Sequence, residues 1–282
     1  MWNNKFEGWY FKHQKDDDVI AFIPGKAKSG VFVQVLSKKS SMQYDFPELT
    51  VDKEGIHVGS CLFSEHGCRI ELPGIQGEIN YGPLTPLESD IMGLFRYLPM
   101  QCRHGVISMA HSLTGSIRIE REEHSFDGGT GYIEKDSGVS FPRSYLWLHC
   151  NNFPEQCAIM LSIAHIPFGV MHFTGCICAI MYGGKEYRLA TYKGVKIKSA
   201  EEHHIQLEQK GLSLDIMVNT HQEGHPLRSP VGGKMSGIIR EGCNAQIRVI
   251  LCNGKKRVFD LSSDHAMFEY VPEREQTYLQ IF

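Results

Sequence analysis

An all-β, antiparallel fold of barrel or sandwich type, with little helix, is predicted for this chain from three observations. Short apolar or alternating runs, bounded by glycine or polar turns, recur along its length. Several are separated by dipeptides that supply the positive φ angles of two-residue hairpin turns. The third is the presence of 28 glycines beside very few helical patterns.

In chain order, GVFVQVLS (30–37), GSIRIERE (115–122), CAIMLSIA (157–164) and CICAIMY (176–182) read as strands. GG at 183–184 divides CICAIMY from KEYRLATY, KG at 210–211 divides HHIQLEQ from LSLDIMVN, and NG at 253–254 divides AQIRVILC from KKRVFDLS. Leu212, Leu214, Ile216 and Val218 share one face of their strand. LTPLESDIMGLFRYLPM (84–100) predicts a turn or two of helix, with Thr85 as N-cap, Pro86 at the first position and Glu88 three residues after the cap. SFPR forms a corner and NNFPEQ a polar loop. They place a boundary near 140–156, dividing the chain into an N-terminal β domain at 1–145 and a C-terminal one at 146–282.

Composition narrows the function classes. The 282 residues are 42% hydrophobic, enough for a sizeable core. With 29 basic and 32 acidic residues and no basic stripe, the chain offers no general attraction to nucleic acid. The opening MWNNKFEGWYFKHQKDDD lacks the apolar core of a signal peptide, and no apolar run is long enough to span a bilayer. The nine cysteines lack the spacing of a disulfide scaffold or a zinc site. Reduced thiols in a cytoplasmic protein are the expectation.

Chemistry-bearing residues concentrate in GYIEKDSGVSFPRSYLWLHCNN (131–152) and FEGWYFK (6–12). Extended, the first places Tyr132, Glu134 and Asp136 on one face, with Ile133 and Lys135 opposite; further on, Trp147, His149 and Asn151 share a face. Such polar-aromatic faces can line a ligand pocket. They can equally face water, with Arg143 pairing one of the acids, because alternation does not say which face is inside. In FEGWYFK, Glu7, Trp9 and Phe11 fall together and Tyr10 opposite. Glu7 is either a buried acid with raised pKa or a structural carboxylate held by Lys135 or Arg143. The histidines of SMAHS (108–112) and HHIQ (203–206) lack metal spacing and read as structural. GGTGY (128–132) lacks dinucleotide spacing, and no GxSxG is present.

FEGWYFK (6–12), GYIEKDSGVSFPRSYLWLHCN (131–151) and THQEGHPLRSPVGGKM (220–235), in this order, resemble the tocopherol cyclase family. The resemblance implies a two-domain, lipocalin-like β fold related to carotenoid hydratases and decalin-forming cyclases, with an apolar ligand held within or between the barrels. It implies acid-assisted closure of a prenylated hydroquinone: an acid protonates the alkene and a phenol oxygen captures the cation, without cofactor or metal. On that ground Asp136 and Glu134, then Glu7, are the candidate acids. Trp9, Tyr10, Tyr132, Lys135, Arg143, Trp147, His149 and Asn151 are the candidate substrate-binding residues. Ser137 stands where the family carries tryptophan or a similar aromatic, and His149 where glutamine is common; both bear on the substrate. The expected partner is an apolar small molecule, with transient membrane contact left open. The rival expectations are a non-catalytic carrier of a prenyl-lipid or fatty ligand and a stress-related β protein whose pocket has closed.

Overall fold

The computed structural model describes residues 5–168, 171–220 and 223–273, and among them no α-helix occurs. Every strand pairing is antiparallel, in two sheets. The first is built from strands between Phe6 and Gly138, the second from strands between Tyr145 and Val271. At the centre of the first, strand Phe6–Lys15 lies beside Thr130–Gly138, which in turn pairs with the long strand Cys102–Ile119. At the centre of the second, Tyr145–Cys150 lies beside Lys256–Val271, which pairs with Lys234–Asn253.

Each sheet curls around its own apolar core. In the first, Phe11, Phe22 and Val33 from one end of the sheet pack in the same cluster as Phe63, Ile70 and Ile79 from the other. In the second, Leu148, Leu161 and Cys178 meet Leu207, Leu214 and Phe259. The expected face Leu212, Leu214, Ile216 and Val218 belongs to that core, as do Cys176 and Cys178. All nine cysteines are free thiols. Leu148 is fully buried, so truncation to alanine costs about 2–5 kcal/mol.

A third cluster joins the two sheets. It combines Tyr10, Leu36, Met109 and Tyr132 of the first with Trp147, Met160, Ala179 and Met267 of the second. The central strands are therefore buried on both faces, one toward their own barrel and one toward the other sheet. All six residues of YLWLHC are buried for this reason. Alternation alone could not decide which face was inside, because both are.

Two hairpin turns form where expected: Tyr182 pairs with Lys185 across Gly183 and Gly184, and Gln209 with Leu212 across Lys210 and Gly211, at φ 47° and 87° for the latter pair. The third is shifted by one residue, Asn253 pairing with Lys256 across Gly254 and Lys255. Two further expectations need correction. GSIRIERE does not continue to 122; its strand ends at Ile119, a turn follows with Glu120 at φ 54°, and a new strand starts at Glu122. The 84–100 segment forms only a 3-10 turn at Gly93–Tyr97. Thr85 caps no helix: its backbone N–H bonds Ser108 Oγ at 3.1 Å and its carbonyl accepts from Met109 N–H at 2.8 Å. Those bonds to the neighbouring strand hold the segment extended where local capping chemistry favours a helix.

Candidate active site between the two sheets

A cavity of about 170 Å³, mainly apolar in its walls, opens between the sheets. That is comparable to the ~150 Å³ cavities that admit a benzene ring. Among the sequence candidates, Trp9, Tyr10, Glu134, Asp136 and Trp147 line it. Strand register explains the grouping. Tyr10 lies opposite Glu134, and Asp136 opposite His104, across neighbouring strands of the first sheet.

His104 organises the acids. Its Nδ1 lies 2.9 Å from Asp136 Oδ1, and its Nε2 lies 3.4 Å from Glu134 Oε2. The second contact is an ion pair without hydrogen-bond alignment. Burial alone would lower the His104 pKa, but Glu134 and Asp136 outweigh it and raise it to about 9. Glu134, only 5% exposed, is pushed up to about 7, chiefly by burial and also by Asp136, with the His104 charge opposing. The Tyr132 hydroxyl donates to Glu134 Oε2 at 2.5 Å. Ring faces stand close by: Tyr10 meets Trp147 edge-on at 5.7 Å between centroids. The buried Trp147 Nε1–H has no partner among the described residues.

The second sheet adds two acids that sequence reading missed. Glu241 and Glu269 line the same cavity and lie directly opposite each other across paired strands. Tyr10 donates to Glu241 Oε1, and Tyr145 donates to Glu269 Oε2 at 2.5 Å. Burial raises the pKa of both, and the Glu269 charge raises Glu241 further. Among the described residues neither has a cationic partner within ion-pair distance, although the buried Lys12 feels the Glu241 charge.

Other candidates lie elsewhere. Glu7 sits on the opposite face of its strand from Tyr10, held by Lys135 at 2.6 Å and Lys26 at 3.2 Å. Lys135 also lies over the Trp9 ring at 4.6 Å, so Glu7 and Lys135 form a partly buried ion-paired unit that does not itself line the cavity. Arg143 is exposed in the crossing between the sheets. Tyr132, His149 and Asn151 stand behind the wall. His149 stacks on Tyr132 at 3.7 Å, and its pKa is pushed well below the usual value by burial and then by Lys12. Neither of its ring nitrogens makes a well-aligned hydrogen bond, and only a loose approach to the Met109 backbone is present. Asn151 accepts from Lys12 Nζ at 3.3 Å and donates to Gly131 O at 2.9 Å. Burial lowers the Lys12 pKa to about 8. The structural reading of the other histidines fits their surroundings: His111 bonds Ser108 and His204 bonds Asp215.

His104, Glu134 and Asp136 bring ligand-type atoms within 4.8 Å of one another. A metal ion there would take one nitrogen of His104, yet both nitrogens already face carboxyl oxygens. The arrangement suits an imidazolium between two carboxyl groups better than a metal ion.

The "Tocopherol cyclase-like" family model matches residues 67–270. FEGWYFK lies before that stretch. A probable chloroplastic tocopherol cyclase from Oryza sativa subsp. japonica is 28% identical over 207 residues, covering 67% of this chain and 44% of that protein. The chloroplastic tocopherol cyclase of Zea mays is 24% identical over 213 residues, covering 67% of this chain and 43% of that protein. The chain thus spans less than half the length of these curated relatives. Among solved structures, CghA with Sch210972 superposes with a TM-score of 0.63 at 10% identity, over 97% of this chain and 90% of that one. Kievitone hydratase from Nectria haematococca superposes with a TM-score of 0.53 at 10% identity, over 95% and 89%. These two establish the fold: two antiparallel, lipocalin-like β units. Among the described residues no helix is long and apolar enough to cross a membrane. With the family model matched over well over half of its length, this chain belongs to the tocopherol cyclase-like family.

Proposed function

We propose that the inter-sheet cavity performs acid-assisted, cofactor-independent cyclisation, hydration or isomerisation of an apolar unsaturated small molecule, with prenylated compounds the leading class. The observation that carries this reading is a set of buried glutamates, with raised proton affinity, on the wall of an apolar, aromatic-lined cavity. Carboxyl groups that hold their protons near neutral pH can give one to an alkene. The developing tertiary cation would face the Trp147 and Tyr10 rings and the nearby carboxylates. An internal hydroxyl would then capture it in cyclisation, water in hydration, and loss of a neighbouring proton would complete isomerisation. Family membership supports this class of chemistry, and the plant relatives' names supply a cyclase as example.

A carrier would hold its ligand with the same apolar wall but has no use for neutralised acids there; solvent-exposed ion pairs would serve it better. Glu134, Glu241 and Glu269 are buried. A closed pocket is disfavoured by the cavity itself. An apolar substrate partitions into lipid, and transient membrane contact fits the exposed Leu94 and Tyr97 beside cavity-lining Phe95.

The test is incubation with a hydroquinone bearing a short prenyl chain, following product by mass spectrometry. Wild type converts it; Glu134→Gln and Asp136→Asn bind it with little or no turnover. Stoichiometric binding of unchanged alkene by wild type supports the carrier.

A further inference from the structure

Glu241 and Glu269 are directly opposed on paired strands, and both side chains are buried. Like charges in that position repel, and burial strengthens the repulsion. A shared proton would remove the conflict: the two carboxyl groups face each other on the cavity wall, and each accepts a tyrosine hydroxyl. The first sheet differs, because there a histidine stands between the acids. The cavity therefore has a proton-rich wall on one sheet and an imidazole-bridged wall on the other.

We infer that Glu241, sharing its proton with Glu269, is the proton donor, and that the Glu134–His104–Asp136 chain receives the proton released at the end of the reaction. This rests on the acid-assisted reading above. In the first step the Glu241 O–H bond breaks, its electron pair stays on the carboxylate, and the alkene π pair forms the new C–H bond. The carboxylate left behind, beside the Glu269 charge, is tolerable only opposite a cation. Proton transfer is thereby tied to carbocation formation. When a hydroxyl or water captures the cation, its proton passes to Glu134, and exchange with solvent water returns the pair to its starting state. No oxidant or reductant is required.

The groups facing Glu241 fit this assignment. Tyr10 donates to it; Glu269, Glu134, Cys243 and Tyr145 feel or share its field; Lys12 is the buried cation nearest in influence. Glu269 in turn feels Asp136.

The test uses a permanent cation in place of the carbocation: a geranyl chain ending in trimethylammonium, compared with its uncharged tert-butyl isostere. Binding is followed by calorimetry in two buffers of different ionisation enthalpy at about pH 8, above the titration of Glu134 near 7. Wild type should prefer the ammonium about tenfold or more and release about one proton per ammonium bound, the isostere releasing none. Glu241→Gln, whose amide mimics the protonated acid, should abolish the release; Glu134→Gln should retain it. Release that persists in Glu241→Gln, or that disappears only in Glu134→Gln, overturns the assignment and leaves the acid-assisted reading standing. Ammonium preference without proton release in wild type does the same. No preference in wild type removes the cation site and with it the proposed function. Difference infrared spectra of wild type supply the same answer if the variant does not fold: the protonated-carboxyl band must lose intensity on ammonium binding, and an unchanged band contradicts the inference.

Discussion

The Tyr10 hydroxyl of the first sheet donates its hydrogen to Glu241 of the second, tying together residues 231 positions apart. It does so where the Tyr10 ring also packs against Trp147, at the seam that holds the cavity.

Tyr10→Phe should therefore destabilise the fold by about 1–2 kcal/mol, the cost of removing a hydrogen bond to a buried carboxyl group. The hydroxyl favours the ionised form of Glu241, so its loss raises that pKa further. An acid with a raised folded-state pKa loses stability as pH rises. The deficit, measured by urea unfolding, should grow with pH.

His104→Asn leaves buried acids without their cation and should cost about 3 kcal/mol at neutral pH. The pH dependence has a definite sign. The folded-state pKa stands at about 9 against an ordinary 6.5, so the histidine's contribution is complete below 6.5 and disappears as pH rises through 9. The stability gap between wild type and variant should close over that window in urea titrations.

With Glu241 as donor and Glu134 as acceptor, turnover of a prenylated hydroquinone should rise with pH through about 7, as Glu134 ionises. A rate that falls through the same region would make Glu134 the donor.

Glu7→Gln should leave the pH–rate profile unchanged. It removes a paired carboxylate that does not line the cavity, and the stability loss should be about 1–3 kcal/mol in thermal unfolding.

Local alternation grouped part of this site, while the expectation that those groups face a pocket came from the family resemblance. Glu134, Asp136 and Trp147 fall on the faces that their strand spacing assigns, and those faces turn toward the cavity. The missed residues carry little local mark. His104 meets Asp136 through strand pairing, although the two residues lie 32 positions apart in sequence. Glu241 precedes an irregular stretch of its strand, where the register shifts between Gly242 and Ala245. Glu269 offered one faint signal, a single acid inside the apolar run AMFEYV. Only the pairing of the two long C-terminal strands brings these acids face to face. Conversely, density misled at Lys135 and Arg143: they share the motif with Glu134, but neither lines the cavity.

The most direct test of alkene protonation in this cavity is turnover of a short-chain prenylated hydroquinone in heavy water, read by mass spectrometry and NMR. The expected product carries one solvent deuterium on the former alkene carbon, and Glu241→Gln forms little or none of it. Recovery of the bound compound with its alkene intact and unlabelled would contradict catalysis by these acids.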